Sequence, residues 1–256
     1  MLLLYFSTAS IACRLTYGPV KALRPTYMHV PKCGSVFVTQ IIQTHCPEMQ
    51  LTKPVLEPTV FLKKHQWCVD RFRRIESGHH GACWGNCGLV TMLRDPRERF
   101  ISAFLDNLHS CTDPSIEVVR KEANYESLVL NRTFVAHYAD CAQGTSVKML
   151  NGHSSHNRHV STPTEIERAK VVLARAAFVG IHEQWNESVC LYQARFGGIS
   201  SAVMTMQKRP SRHPYLKDAL NQTLSDIGWG DPAEYEIYQL ALRRFNLELL
   251  AHAYGR

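Results

Sequence analysis

Between Tyr27 and Ile42 the chain reads YMHVPKCGSVFVTQII, and that run leaves little choice of local structure. Tyr27–Val30 is short and apolar, as a buried strand is. Pro31, Gly34 and Ser35 break the pattern, and Phe37, Val38, Ile41 and Ile42 then recur at helical spacing. Strand, tight loop and helix are therefore predicted in that order. The loop puts Lys32 and successive backbone N–H groups at a helix N-terminus. Free donors, the helix dipole and one ammonium together favour an anion there. Gly34 lets the backbone approach a ligand closely. Ser35 can cap the helix or donate a hydroxyl hydrogen bond. An ordinary βα turn with a solvated lysine uses the same residues, so the run alone does not decide between the two.

The second unit, Gly88 to Leu108, reads GLVTMLRDPRERFISAFLDNL. Leu89–Leu93 is predicted as a buried strand. Asp95 has the makings of an N-cap, Pro96 of the first helical position and Glu98 of the reciprocal capping-box residue. Phe100, Phe104, Leu105 and Leu108 form the apolar face. Arg94 is then left at the carboxyl end of a strand, the edge at which open α/β sheets bind ligands. Arg99 and Ser102 fall one and two turns into the following helix.

The rest of the chain is read more coarsely. Cys46–Pro58 is broken by prolines and predicted as loop, and Phe61–Ser77 as helix. Gly78 to Gly88, with four glycines in eleven residues, cannot make a regular element. Residues 114–140 read as two helices. Ser146–Leu150 precedes a polar loop, Asn151–Ser161, that carries His153, His156 and His159. Their spacing can gather metal ligands, but no acidic or thiol partner stands alongside in sequence, so a solvated or substrate-facing loop is expected. Thr162 opens a helix over Pro163–Ala177, with Glu165 at capping-box distance. Phe178–Ile181 is predicted as a third buried strand and Glu183–Phe196 as helix. Lys208–Pro214 is a basic, proline-broken loop, read as solvent-exposed, with contact to an acidic substrate as the sharper alternative. In the final helix, Pro232–Tyr254, the stripe of Tyr238, Leu242, Phe245 and Leu249 marks a core face.

A chain of 256 residues is long enough for one α/β domain with a substantial core. Lys and Arg number 29 against 22 acidic residues, for a net charge of +7, which suits nucleotides, phosphates or acidic glycans. Nucleic acid is not expected, because no basic-aromatic module or zinc-finger spacing occurs. The nine cysteines include no CxxC pair, so nothing calls for a metal. Cys83 and Cys87 could be bridged, and the odd count leaves at least one thiol free or joined to another chain. Three sequons, at Asn131, Asn186 and Asn221, point to a secretory lumen. Met1–Cys13 is mostly apolar but shorter than the ~20 residues of a bilayer span. It reads as the remnant of an anchor or signal, or else as a buried N-terminal segment.

Taken together, the two strand-turn-helix units resemble the sulfotransferases that use 3′-phosphoadenosine 5′-phosphosulfate (PAPS), of the Golgi carbohydrate type. His29-Val-Pro-Lys-Cys-Gly-Ser35 is similar to that family's phosphosulfate loop, H-I-P-K-T-G-G-T. Leu93-Arg-Asp-Pro-Arg-Glu-Arg-Phe-Ile-Ser-Ala103 is similar to its 3′-phosphate motif, L-R-D-P-x-E-R-x-x-S. Looser matches are Arg168-Ala-Lys170, Phe178-Val-Gly-Ile-His-Glu183 and Phe245-Asn-Leu-Glu-Leu-Leu250. The likeness covers residues 27–254. Ser35 replaces the second glycine, and Val36 stands where a hydroxyl usually meets phosphate.

The resemblance implies a P-loop-NTPase-like parallel sheet flanked by helices: an apolar segment and linker over residues 1–26, and a single domain over 27–256. PAPS would be the co-substrate, with no metal, and an acidic or neutral glycan the acceptor, in the Golgi lumen and with a membrane anchor preceding the domain. Lys32, Cys33, Gly34, Ser35 and Val36 would bind the 5′ end, and Arg94 and Ser102 the 3′-phosphate. Lys32 would also serve catalysis. In the heparan-type 2-O-sulfotransferases the base is a His of a Gly-His pair shortly before the second unit; Gly78-His79 matches it, with His80 as rival. Three other readings use the same residues. The first is a non-catalytic sulfotransferase-like module that binds nucleotide or glycan. The second, a P-loop kinase, is disfavoured because a Walker A lysine follows the last glycine, whereas Lys32 precedes Gly34. The third is a cytosolic-type sulfotransferase of small phenols or steroids.

Overall fold

The computed structural model describes residues 25–49, 51, 55, 64–69, 74–76, 88–109, 111–122, 124–197 and 213–254. Among them β1 (Thr26–Met28), β2 (Arg74–Glu76), β3 (Leu89–Leu93) and β4 (Phe178–Ile181) form one sheet in the order β2-β1-β3-β4. Every neighbouring pair is parallel; Tyr27 sits opposite Ile75 and Val90, and Met92 opposite Gly180. The fold is thus α/β, a parallel sheet flanked by helices. Such a sheet is covered on both faces, which is why β1, β3 and β4 are apolar runs rather than alternating ones. Thr91, the polar exception in β3, is fully buried and donates its hydroxyl to Met28 O at 3.0 Å.

The strands are followed by the helices that cover them. α1 (Phe37–His45) follows β1 and is buried along its whole length. Phe37 stacks on Phe178 of β4 at 5.7 Å and meets Tyr192 edge-on at 5.4 Å. Tyr192 lies in α9 (Trp185–Phe196), which leaves β4 through a 3₁₀ turn at His182–Gln184. The long closing helix α11 (Pro232–Tyr254) packs on β4 through Ile237, Tyr238, Ala241 and Phe245. The core stripe expected there from Tyr238 and Phe245 is present, with Leu242 and Leu249 at its margin.

One predicted helix is replaced. Within Phe61–Ser77 the described residues form α2, a single turn at Gln66–Val69, and strand β2. β2 exists because β1 has an open edge, and its pairing partner lies far back in the chain, where local periodicity does not register it. Residues 114–140 hold three helices instead of two: α4 (Pro114–Glu122), α5 (Tyr125–Leu130) and α6 (Arg132–Ala142). The extra break is a pair of asparagine caps. Asn124 Oδ1 accepts from Glu126 N and Ser127 N, and Asn131 Oδ1 from Phe134 N. α7 (Thr145–Leu150), α8 (Pro163–Ala174) and α10 (Lys217–Asp226) complete the helical part. α8 has the expected capping box between Thr162 and Glu165, and ends three residues before the predicted limit.

Two apolar cores result. One surrounds the sheet. The other lies among the helices and holds Phe100, Phe104, Leu108, Tyr138, Leu220 and Leu224. α3 (Pro96–Leu105) supplies Phe100 and Phe104 to the second core. Between the cores runs a buried polar seam. Fully buried Arg99 of α3 has its Nε 3.3 Å from Glu234 Oε1 of α11. Glu234 also accepts from Ser146 N at 2.7 Å and Ser146 Oγ at 2.5 Å. Asp231 accepts from Gly144 N at 2.7 Å and Glu234 N at 3.1 Å. Burial lifts the Glu234 carboxyl above its usual range, and the Arg99 charge opposes that rise.

Cys46–Cys68 is a disulfide inside the sheet core and Cys111–Cys141 one inside the helical core. Cys190 is disulfide-bonded as well, and Cys33 is a buried free thiol. Among the described residues no helix is long and apolar enough to cross a membrane. The readings of residues 1–13, of the glycine-rich segment with His79, His80, Cys83 and Cys87, and of residues 208–212 lie outside the described residues.

Candidate functional site

Because β1, β3 and β4 are adjacent and parallel, their carboxyl ends share one edge of the sheet. That edge receives the 29–36 loop from β1, Arg94 from β3, and His182 and Glu183 from β4. Lys32 and Gly34 both have left-handed backbone, at φ +64° and +90°. For lysine this conformation costs about 1–2 kcal/mol, so neighbours must hold it. Cys33 N donates to Val30 O at 3.2 Å, and Arg94 Nη1 donates to the Lys32 carbonyl at 3.3 Å.

The loop ends in an uncapped helix. Val36 is the N-cap of α1 and no side chain caps it, so Ser35 does not play the capping role open to it. The first helical N–H groups turn inward: Phe37 N bonds Gly34 O at 2.9 Å and Thr39 N bonds Val36 O at 2.9 Å. Among the described residues the N–H groups of Gly34, Ser35 and Val36 have no acceptor. They are three successive donors at the positive end of a helix. Cys33 contributes neither group: its N–H is committed to Val30, and burial pushes its thiol up to about 12.

Gly34 is required for two reasons. A Cβ there would lie 2.7 Å from Trp185 Cζ3 and 3.3 Å from His182 Cδ2, and the backbone is left-handed. Gly34→Ala is therefore expected to destabilise the chain by roughly 1–3 kcal/mol. The check is the urea midpoint, and an unchanged midpoint refutes this packing role.

The charges above the loop form a connected set. Lys32 Nζ is 2.5 Å from Asp106 Oδ2, just beyond α3. Arg94 Nη2 is 3.3 Å from Glu98 Oε2, and Arg94 Nε is 3.8 Å from Glu183 Oε1. Lys217 of α10 takes the other oxygen of Glu98 at 2.8 Å. Glu98, Ser102 and Asp106 are spaced by four, so they share the helix stripe that faces the loop. Lys32 and Arg94 are thus brought to one place, and Ser102 lies between their carboxylate partners along α3. Glu98 does not close the capping box predicted for it. Asp95 caps α3 by accepting from Arg97 N and Glu98 N, each at 3.0 Å, but its own N–H goes to Glu183 Oε1 at 3.2 Å. Tyr238 donates to the other Glu183 oxygen at 3.2 Å.

Two imidazoles border this set among the described residues. His109 is held below its ordinary pKa by burial and by the nearby Lys32 charge, which Asp106 partly offsets. His182 is lowered to about 4, by burial first and by Arg94 second. The unfolded chain binds a proton at His182 near its ordinary 6.5, before the folded chain does. The His182 contribution to stability then falls as the pH drops from about 6.5 to 4 and levels off below. His182→Gln is expected to flatten that slope in urea titrations; an unaltered slope removes His182 as a contributor.

Asp106 and His109 are site residues outside every motif match, and His182 belongs to a match without being assigned a role. Asp106 had a usable signal, one turn after Ser102 on the same stripe. Glu183 lies in the looser match after β4. Comparison of the chain with protein-family models, with curated proteins and with solved structures finds no match.

Proposed function

We propose that this chain is a sulfotransferase that moves a sulfuryl group from PAPS to a hydroxyl of a glycan, on a P-loop-like version of its parallel sheet. The observation that carries the reading is the bond from Arg94 to the Lys32 carbonyl. It joins the two motif residues at the carboxyl edge of adjacent strands, beside three unengaged N–H groups. Such an arrangement suits a ligand with anionic groups at two ends.

PAPS would bring the activated sulfuryl group, and the residues would do the rest. Gly34, Ser35 and Val36 N–H groups would hold the 5′-phosphate. Arg94 presents a planar fork suited to the 3′-phosphate, and Ser102 stands one helical turn from Arg94's partner Glu98. Lys32 would steady charge on the departing phosphate. His79 is assigned the acceptor proton, with His80 as rival; a neutral imidazole near pH 7 suits that task. Val36 supplies no hydroxyl, so one side-chain contact of the resembled loop is lost. Nothing in the reaction calls for a metal.

The covalent chemistry supports a reading of the compartment. Disulfides at Cys46–Cys68 and Cys111–Cys141 favour an oxidising lumen. The Asn131 sequon is exposed at all three residues. The Golgi lumen, with a glycan as partner, is the consistent assignment.

A second reading, binding without turnover, is favoured by the ion pairs themselves. Lys32 already has Asp106, and Arg94 already has Glu98. Calorimetric titration with PAP, the desulfated nucleotide, tests both. Binding followed by labelled sulfate transfer to a glycan supports the enzyme. Binding without transfer to any acceptor supports the module, and no binding by the folded chain removes the nucleotide site.

A further inference from the structure

The polar loop between α7 and α8 contains a donor set that the nucleotide reading does not use. His153 and His159 both direct Nε2 at Glu165, in the first turn of α8. The distances to Glu165 Oε1 are 3.3 Å from His153 and 2.8 Å from His159. One ligand atom from each residue lies within 4.8 Å of the other two. The acidic partner absent from the local sequence is thus supplied by the next helix. His156, the middle histidine of the spacing, is not part of the set.

We propose that His153, His159 and Glu165 form a binding site for a divalent transition metal of the zinc type. Two imidazoles and one carboxylate are a donor set typical of zinc with an open fourth position. Metal–ligand bonds of about 2.0–2.1 Å at tetrahedral angles set ligand atoms roughly 3.3 Å apart. The His153–Glu165 separation matches that value and the His159–Glu165 one falls short of it, while the two imidazole nitrogens lie within 4.8 Å of each other, so small side-chain movements suffice. Imidazole donors disfavour magnesium and calcium, which take oxygen ligands.

The set is held from behind. Glu165 Oε2 accepts from Thr162 N and Thr162 Oγ1, each at 2.9 Å, which fixes the carboxylate by its capping-box bonds. Such outer partners orient a ligand before the metal arrives. His153 N donates to Lys148 O at 2.9 Å, and Lys148 Nζ donates to Asn157 O at 2.9 Å. The backbone is therefore pinned at His153 and again at Asn157, two residues before His159. A metal ion would close the loop onto α8. The same loop is tied to the segment after α3, where Thr112 Oγ1 donates to His156 O at 3.1 Å and Arg158 pairs with Asp113 at 3.3 Å.

The test uses the full chain, without a histidine tag, stripped by chelator and titrated with Co²⁺ and then Zn²⁺. The expected result is saturable binding that includes one equivalent with the visible absorption of N/O-ligated Co²⁺ and no thiolate charge-transfer band. Zn²⁺ is expected to displace it and to raise the melting temperature. His159→Gln, His153→Gln and Glu165→Gln should each weaken that equivalent at least ~10-fold. Each should also abolish the thermal shift, with unaltered circular dichroism. Glu165→Gln keeps an oxygen for Thr162, so it separates metal binding from helix capping. Absence of binding by the folded chain overturns the proposal. So does binding of equal stoichiometry and affinity in the histidine variants.

Discussion

Glu234→Ala is expected to lower the stability of the folded chain by roughly 3–5 kcal/mol, the loss typical when one partner of a buried ion pair is removed. Arg99 is fully buried, so it would keep its charge in a dry seam with its nearest counter-ion gone and only the weaker influence of Asp231 left. Ser146 would lose the acceptor of both its N–H and its hydroxyl, and unsatisfied buried donors add to the loss. For a chain of this length the melting midpoint should fall by on the order of 10 °C. The double variant Arg99→Met/Glu234→Leu should recover much of the loss, because it removes both charges together. Thermal and urea midpoints of the three proteins decide the matter. A single-variant loss under about 1 kcal/mol would mean that the seam is not a dry ion pair.

The second large effect concerns Arg94. Arg94→Ala should weaken PAP binding roughly 10–100-fold, the range for losing charge-assisted hydrogen bonds. Two losses combine in it: the fork that meets phosphate and the donor that holds the left-handed Lys32 carbonyl. Arg94→Lys should not restore affinity, since an ammonium lacks the planar geometry. His79→Ala should leave PAP affinity nearly unchanged and lower turnover by about 10²–10⁴-fold, as expected of a general base. Calorimetry on each variant, beside labelled sulfate transfer, separates the roles. Equal binding losses in Arg94→Ala and His79→Ala would remove the division between nucleotide site and base.

The parallel sheet could be read from the sequence because its parts advertise themselves locally. β1, β3 and β4 are apolar runs ended by turn chemistry, and the Asp95-Pro96 start of α3 is a local signal as well. β2 could not be read, because Arg74–Glu76 becomes a strand only by docking on an edge that is distant in sequence. For the same reason the capping-box role that spacing gives Glu98 passes in part to Glu183, which accepts the Asp95 N–H. The positions of Lys32 and Arg94 followed from the loops that carry them. Their carboxylate partners did not, since Asp106 and Glu183 meet them only after the helices and strands assemble. The histidine spacing at 153–159 was visible, but its acidic partner required the loop to fold back on α8.

Each of the two core disulfides closes within its own core, Cys46–Cys68 on the sheet side and Cys111–Cys141 on the helical side. Neither of them crosses the seam at Arg99 and Glu234. The staples therefore act on chain segments of 22 and 30 residues, short enough for each loop to close without the other half of the fold. Among the described residues, these two cross-links thus secure the halves separately, while the seam itself rests on apolar contact and charge. Reduction and charge deletion become orthogonal failures. The first loosens each half from within, and the second parts two halves that remain individually stitched.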